Sequence, residues 1–431
     1  MYLISHVEIE GFWETYKFDV PIYQDVTFFI GQNGTGKTTF INLLAAALTA
    51  DFRTLDLIPF KRISIILIPK IKGERPSITV NKINKKENSF SSINYHIVPK
   101  GQKAKEIKFS LDSREEQMML RRLRHEPRYF EYYRLSQNGL THTLRDLVKV
   151  NWLSIHRMSP QESARGEGEF ESSIDQKIES LSNELVRYFA TLSKQKDDEI
   201  RAFQEYIFVS LIEHRDDVDP FDSGRLKKVS QYKEALKTIF KELHVQGDTR
   251  ELLSSFSDRA LKNKISNDEK ENKKRIGLGM DELIFRIDLY RIEQIVQKWE
   301  DLQVRLKTIF KQRDKFQAIA DDLFQRKKMS FSESNEMEFT SRSGKPLTPQ
   351  MLSSGEKQLL ILMSEALLQR EMPAIFIADE PELSLHVLWQ ERLVASLRTL
   401  NPNAQIISAT HSPDIVGALI DKAIDMETLI K

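Results

Sequence analysis

Gly31 to Thr39 reads GQNGTGKTT, follows the apolar run Val26-Thr27-Phe28-Phe29-Ile30, and precedes a helix-forming stretch from Phe40 to Ala50. A strand, a glycine loop and a helix in that order give backbone N–H groups the chance to close around a phosphate. Gly31, Gly34 and Gly36 remove Cβ atoms from the loop, so successive amides can turn inward as an anion nest. The helix starting near Lys37 adds its positive end. Lys37 is spaced to reach the β- and γ-phosphates of a nucleotide, and the Thr38 hydroxyl to ligate Mg²⁺. A chance glycine-rich turn is the competing explanation, and the far end of the chain weighs against it.

Three stretches there carry matching chemistry. Ile375-Phe376-Ile377-Ala378 is a buried-strand run whose carboxyl end presents Asp379 and Glu380, where ligands of open α/β sheets gather. Asp379 suits holding Mg²⁺ through water, and Glu380 suits polarising the water that attacks a γ-phosphate. Adjacent carboxylates with different tasks need different surroundings, so Glu380 is expected off the metal. Ile406 to Ala409 is a second buried run, and His411 beyond it can contact the γ-phosphate or the attacking water. Leu352 to Leu360, LSSGEKQLL, opens a helix; alone it is explained by Ser353 or Ser354 as N-cap and Glu356 as the capping-box acid. Each stretch is weak singly, and their order downstream of a complete phosphate loop gives them weight.

The 431 residues permit two or three domains and a large core, and 40% hydrophobic with 29% charged residues is the composition of a soluble globular chain. No apolar run approaches the ~20 residues of a membrane span. The N-terminus, MYLISHVEIEGFWE, is acidic where a signal peptide would place its cleavage site and alternates as a strand does, so no membrane partner and a cytoplasmic location are expected. Without cysteine there are no disulfides, thiolate zinc sites or cysteine nucleophiles. The net charge of +1 is unevenly spread: residues 51–150 hold twenty-one Lys/Arg against eleven Asp/Glu. That excess points to an acidic partner.

Leu3–Ile9 and Tyr16–Val20 read as a hairpin ahead of the Val26–Ile30 strand. The runs Ile63–Ile68, Ser77–Val80, Ser92–Val98 and Ile107–Leu111 read as an antiparallel β subdomain. Helix is expected from Ser113 to about Leu147, carrying Arg121, Arg122, Arg124 and Arg128, then a buried strand over Val148–Ile155. Ile174, Ile178, Leu181, Leu185, Tyr188 and Leu192 step by fours and threes along a helical seam, and a second seam runs from Phe285 to Leu323. The two can form an extended antiparallel hairpin or belong to a compact bundle. The polar stretch SNDEKENKKR between them reads as a mobile loop. Strands return at Met329–Ser332 and Met337–Thr340.

Together these motifs resemble the ATP-binding-cassette ATPases. Gly31–Thr38 matches the Walker A motif, Leu352–Gln358 the signature, Ile375–Asp379 Walker B with Glu380 as base, Pro381–His386 the D-loop, and His411 the switch histidine. The resemblance implies an α/β fold: a P-loop cassette-ATPase head of mixed sheet plus antiparallel β subdomain, with a helical or coiled-coil insertion. Its parts would be residues 1–165, an insertion at 166–328, and residues 329–431. It implies ATP and Mg²⁺ as cofactors, with Thr38 and Asp379 on the metal and Lys37, Glu380 and His411 in catalysis. Nucleotide contacts would come from Asn33, Gly34, Thr35, Gly36, Lys37, Thr38 and Thr39. Ser353, Ser354, Gly355 and Glu356 would contact the ATP of the opposite protomer, in a head-to-tail homodimer open to higher assembly. The Q-loop glutamine of that family is unassigned among Gln102, Gln117 and Gln137.

The separation of 321 positions from Gly31 to Leu352, with a helical insertion in the gap, is similar to the organisation of SMC, Rad50, RecF and OLD-like ATPases rather than transporter cassettes. With twenty residues beyond His411, no Toprim nuclease is expected within this sequence. The phrases ADEPELSLHVLWQ and NPNAQIISATHSPDIVG are similar to the stand-alone ATPase subunits of anti-phage systems such as PARIS and Septu. That resemblance implies a sensor or scaffold that holds a separate toxin or nuclease and releases it on a phage trigger, with an acidic phage protein or DNA at region 51–150. The alternative is a RecF- or Rad50-like DNA-binding ATPase of repair or recombination. A structural dimer with vestigial sites conflicts with the intact catalytic set.

Overall fold

The computed structural model describes residues 1–69, 73–83, 92–99, 106–112, 139–153, 173–212, 224–273, 279–324 and 326–429. The chain forms two compact units, Met1–Tyr188 with Gln312–Lys431, and Phe189–Lys311.

In the first unit, strands β1 (Tyr2–Phe12), β2 (Tyr16–Pro21), β4 (Arg62–Pro69), β5 (Ser77–Ile83), β6 (Ser92–Val98) and β7 (Ile107–Asp112) form one antiparallel sheet in the order β2-β1-β4-β5-β6-β7. The hairpin and the β subdomain read from the sequence are therefore continuous, joined where β1 pairs with β4 from Tyr2↔Pro69 to Glu10↔Arg62. Alternation explains the sheet's one dry face: Ile63, Ile65, Leu67, Ile78, Val80, Ile93, Tyr95 and Ile97 are buried, with half-exposed residues between them that are polar except for Ile66. Helix α1 (Lys37–Thr49) packs on that face through Leu43, Leu44 and Leu48. The buried Tyr95 hydroxyl donates to Ala47 O at 3.1 Å, and burial pushes that phenol's pKa up, so it stays protonated and can donate.

The second sheet of this unit is parallel, in the order β14-β3-β13-β12-β8, from β3 (Val26–Ile30), β8 (Val150–Leu153), β12 (Ala374–Asp379), β13 (Ala404–Ala409) and β14 (Ala423–Asp425). Its central strands are mostly apolar on both faces because both faces are covered, with Thr27, Gln405 and Ser408 as buried polar residues among them. Ile375, Ile377, Ile407 and Ala409 pack into the α1 core. Phe376, Ala378 and Ile406 meet Leu362 of helix α7 (Ser354–Leu368) and Leu393, Val394 and Leu397 of helix α8 (Val387–Leu400). A helix over 139–147 precedes β8 and is labelled α2. Strands β9 (Lys327–Phe331), β10 (Met337–Ser341) and β11 (Pro346–Leu347) make a small antiparallel sheet leading into α7.

The second unit contains the end of α3 (Ser173–Ile212), then α4 (Val229–Glu242), α5 (Thr249–Lys273) and most of α6 (Met280–Leu323). Glu199 pairs with Arg305, and the Lys298 ammonium sits over the Tyr206 ring, so α3 and α6 run antiparallel. They are not a bare pair. Tyr232 of α4 and Ala260 of α5 share a core with Phe285, Leu289 and Val296, while Ile239 joins Phe203, Trp299 and Leu302. Of the two arrangements open from the sequence, this is the bundle: the seams meet α4 and α5 as well as each other. Helix α5 also runs through Ser266–Lys273, where a mobile loop is expected. The segment lacks glycine and proline and is rich in Glu and Lys, which favour helix by intrinsic propensity. Lys274 and Arg275 lie outside the described residues, as do Arg121, Arg122, Arg124, Arg128, Gln102, Gln117 and Gln137.

One buried side chain stitches the six-stranded and five-stranded sheets of the first unit together. Gln405, on β13, accepts from Ile4 N at 2.8 Å and donates to Ile4 O at 2.6 Å and Tyr23 O at 2.8 Å. Gln405→Leu would strand the buried amide and carbonyl of Ile4 away from water and take the partner from Tyr23 O. The expected cost is about 3 kcal/mol, read as a lower midpoint of unfolding, whereas an unchanged midpoint would show that the stitch is dispensable.

Candidate functional site

Parallel pairing fixes the site. With β3, β13 and β12 adjacent and in register, their carboxyl ends deliver Gly31, Thr410 and Asp379 to one edge of the sheet. The loop after β3 has the backbone its glycines permit: φ is +87° at Gly34 and +90° at Gly36. A Cβ at Gly36 would lie 3.1 Å from ring carbons of both Phe12 and Trp13, so steric crowding and backbone geometry both demand glycine. Gly36 is the N-cap of α1, and Lys37, Thr38 and Thr39 form its first turn. Asn33 and Gly34 are exposed at the loop's tip, and Thr35 Oγ1 donates to Gln32 O at 2.9 Å.

Thr38 Oγ1 donates to Asp379 Oδ1 at 3.0 Å, joining residues far apart in the chain. Lys37 is folded over the loop, with Nζ donating to Gly31 O at 2.7 Å and Gln32 O at 2.8 Å. Burial lowers its pKa, opposed by the nearby carboxylates of Glu380, Asp379, Asp425 and Glu427. Glu380 sits in the left-handed region at φ +48°, pinned by its N–H to Ala409 O at 2.9 Å. That conformation costs a non-glycine residue free energy and turns Glu380 out of the strand's alternation. Its carboxylate lies 3.9 Å from His411 Nε2, so those two predicted residues are neighbours.

Ser353 is the N-cap of α7, accepting from Glu356 N at 3.3 Å, while Glu356 Oε2 accepts from Ser353 N at 2.7 Å. The capping box expected from the sequence is thus formed, with Ser353 rather than Ser354 as cap. The Glu356 carboxylate is further committed to Lys327 Nζ at 2.5 Å. A Cβ at Gly355 would lie 2.4 Å from Ser384 O, so this glycine is required by packing within the chain. Ser353 and Ser354 are exposed, and among the described residues no hydrogen bond joins the 353–356 turn to the phosphate loop.

Two residues escaped the sequence analysis, and a third, Glu382, was named there only as part of the D-loop stretch, without a role of its own. Trp13 and Phe12, from the β1–β2 turn, flank Gly36. Glu382 Oε1 accepts from Thr410 Oγ1 at 2.7 Å, His411 N at 2.8 Å and Ser412 N at 3.2 Å. Nothing local marks it, although a third acid following Asp379-Glu380-Pro381 was visible in the sequence. Region 51–150 looks different in the fold: only eight of its twenty-one Lys/Arg and six of its eleven Asp/Glu lie among the described residues. Of those cations, Lys82 donates to the carbonyls of Leu55, Asp56 and Ile58, and Lys108 pairs with Glu106. No helix among the described residues is long and apolar enough to cross a membrane.

Residues 26–417 match the family described as AAA domain, putative AbiEii toxin, type IV toxin–antitoxin system. A curated relative, the Retron Vc95 probable ATPase of Vibrio cholerae serotype O1 biovar El Tor, is 24% identical over 237 residues. The match covers 49% of this chain and 44% of that protein, less than half of either. Among solved structures, the Smc head domain with an extended coiled coil bound to the C-terminal domain of ScpA, from Pyrococcus furiosus, aligns at TM-score 0.38. Identity there is 13%, over 99% of this chain and 94% of that one. The Smc head domain with a coiled coil and joint from Pyrococcus yayanosii aligns at TM-score 0.35 and 15% identity, over 96% and 93% of the two chains.

Burial raises the Glu356 pKa, but the hydrogen bonds from Lys327 and Ser353 outweigh it and hold the carboxyl below its usual value. A depressed carboxyl pKa contributes stability that is fully present above the unfolded value and is lost as pH falls through the folded one. Stability should therefore decline below the ordinary glutamate range, and Glu356→Gln should flatten that part of the acid profile. Identical acid unfolding curves for the two proteins would contradict the assignment.

Proposed function

The chain belongs to the AAA-domain family described as putative AbiEii toxin, type IV toxin–antitoxin system, and from that premise we propose that it is a magnesium-dependent ATPase whose sites are completed by a second copy. The observation that carries the catalytic part is the 3.0 Å contact of Thr38 Oγ1 with Asp379 Oδ1, beside a left-handed phosphate loop and the Glu380–His411 pair. A hydroxyl and a carboxylate oxygen side by side are the hard donors Mg²⁺ takes. When bound, the ion supplies charge neutralisation on the β- and γ-phosphate oxygens.

The residues of the chain do the rest. Amides of the loop and of the first turn of α1 hold the triphosphate, and Lys37 Nζ exchanges two carbonyls for phosphate oxygens. Glu380, turned away from Asp379 by its backbone, accepts the proton of the attacking water, and His411 beside it orients that water or the γ-phosphate. The exposed Ser353 and Ser354, at the positive end of α7, meet the nucleotide held by the other copy. Glu356 acts inside its own chain by holding that turn in shape.

A toxin–antitoxin system pairs two components, and the Vibrio relative's name places a probable ATPase in a retron. These descriptions support a role for this chain as the ATPase of an anti-phage system. In that role it retains a separate toxin or nuclease while closed on ATP, and lets it go when a phage trigger, an acidic protein or DNA, engages region 51–150.

Glu380→Gln should lower phosphate release by about 10²-fold or more while ATP binding persists, as expected for loss of a general base. Lys37→Ala should instead lose affinity for nucleotide, measured by equilibrium binding. Wild-type turnover in Glu380→Gln would end the assignment of the base.

A further inference from the structure

We infer that Glu382 is a positioning residue for His411, a clamp that couples the turn after β12 to the switch segment after β13. The inference deepens the proposed ATPase reading and rests on it. Three donors converge on one oxygen: the Thr410 hydroxyl and the main-chain amides of His411 and Ser412, all within 3.2 Å of Glu382 Oε1. The residues holding Glu380 and His411 are otherwise on separate strands, and a carboxylate bridging them fixes their spacing. Hydrogen bonds to an ionised acceptor are about twice as strong as neutral ones, which suits a joint that must keep its geometry under load.

The turn bearing Glu382 is itself held on two sides. Gln358, buried in α7, donates to Pro381 O at 2.8 Å. Gln390, in α8, donates to Leu385 O at 2.9 Å and accepts from Ser412 Oγ at 2.6 Å. Gly355, at the start of α7, touches the same turn, since any Cβ there would collide with Ser384 O. A continuous set of contacts thus runs from the turn at 353–356 through Pro381 and Glu382 to the backbone of His411. A second copy that presses on the 353–356 turn therefore acts on the histidine through Glu382. The other carboxylate oxygen, Oε2, is enclosed and has no hydrogen-bond partner among the described residues, so an amide in its place would gain none either.

Glu382 touches neither the phosphate loop nor Asp379 in these contacts, which separates its effect from nucleotide binding. Glu382→Ala should lower kcat roughly tenfold or more with ATP affinity unchanged, because a small misplacement of a reacting group is costly. Glu382→Gln keeps a carbonyl where Oε1 stands and should recover part of the loss. In a His411→Ala background, adding Glu382→Ala should change kcat by less than about twofold, since both changes remove one function. In the nucleotide-free protein, amide hydrogen exchange should rise at His411 and Ser412 in Glu382→Ala, with the amides of β13 itself unaffected. A wild-type chain without hydrolysis would end the ATPase reading. Hydrolysis by Glu382→Ala at the wild-type rate, a fold loss in the His411→Ala background equal to that in wild type, or unchanged exchange at His411 would overturn the clamp.

Discussion

The contact between the Thr38 hydroxyl and the Asp379 carboxylate constrains the whole first unit. Thr38, in the first turn of the helix that follows β3, meets Asp379, the last residue of β12, at 3.0 Å because β3, β13 and β12 run parallel and end at the same edge of the sheet. That alignment comes from the apolar runs of β3, β12 and β13, whose both-faced burial forbids a register slip without exposing isoleucine and phenylalanine to water. Chemistry at the edge and packing in the core are consequences of one arrangement. The antiparallel sheet matters to the site in the same way, since it carries Phe12 and Trp13 to the flank of Gly36 and is locked to β13 through Gln405.

Two of the nine non-glycine residues with positive φ among the described residues lie where function is proposed. Gly34 and Gly36 adopt left-handed backbone at no steric cost, but Glu380 and Ser384 adopt it with side chains. Both lie in the turn that follows β12, and that turn is braced by Gln358, Gln390 and the three donors on Glu382. A conformation that costs free energy persists when its surroundings over-determine it, and here they do. Gly355 shows how a motif can carry two demands at once. Its absence of a Cβ is required by Ser384 within the chain, whatever a second copy adds.

Much of this was legible in the sequence because the signals are local. A glycine loop between a β-branched run and a helix, or four apolar residues before Asp379-Glu380, describe their own environment. The capping box at the start of α7 follows from the same kind of short pattern, which left Ser353 and Ser354 open as the cap, whereas the order β3-β13-β12 came only from the fold. What escaped depends on partners distant in the chain. The pairing of β1 with β4 that merges two predicted groups of strands is set by packing, not by either segment. Glu382 reads as an ordinary acid until β13 brings Thr410, His411 and Ser412 to it. Two seams of similar period fit a hairpin or a bundle equally well, and only the apolar faces of α4 and α5, with Tyr232, Ile239 and Ala260, decide between them. The stretch at 266–273 misleads because its polarity argues for loop while its Lys and Glu content argues for helix.

The central claim is that the nucleotide is completed by residues from two chains, with the phosphate loop of one facing the 353–356 turn of the other. Mixing two inactive variants tests it directly. Lys37→Ala removes the phosphate contact, and Ser354→Arg blocks the exposed start of α7 while sparing the Ser353 cap. A mixed dimer of the two holds one wholly intact site, so the account predicts that combining the proteins restores ATP hydrolysis that neither shows alone. A mixture that stays inactive although the two chains associate, or full turnover by Ser354→Arg on its own, would contradict it.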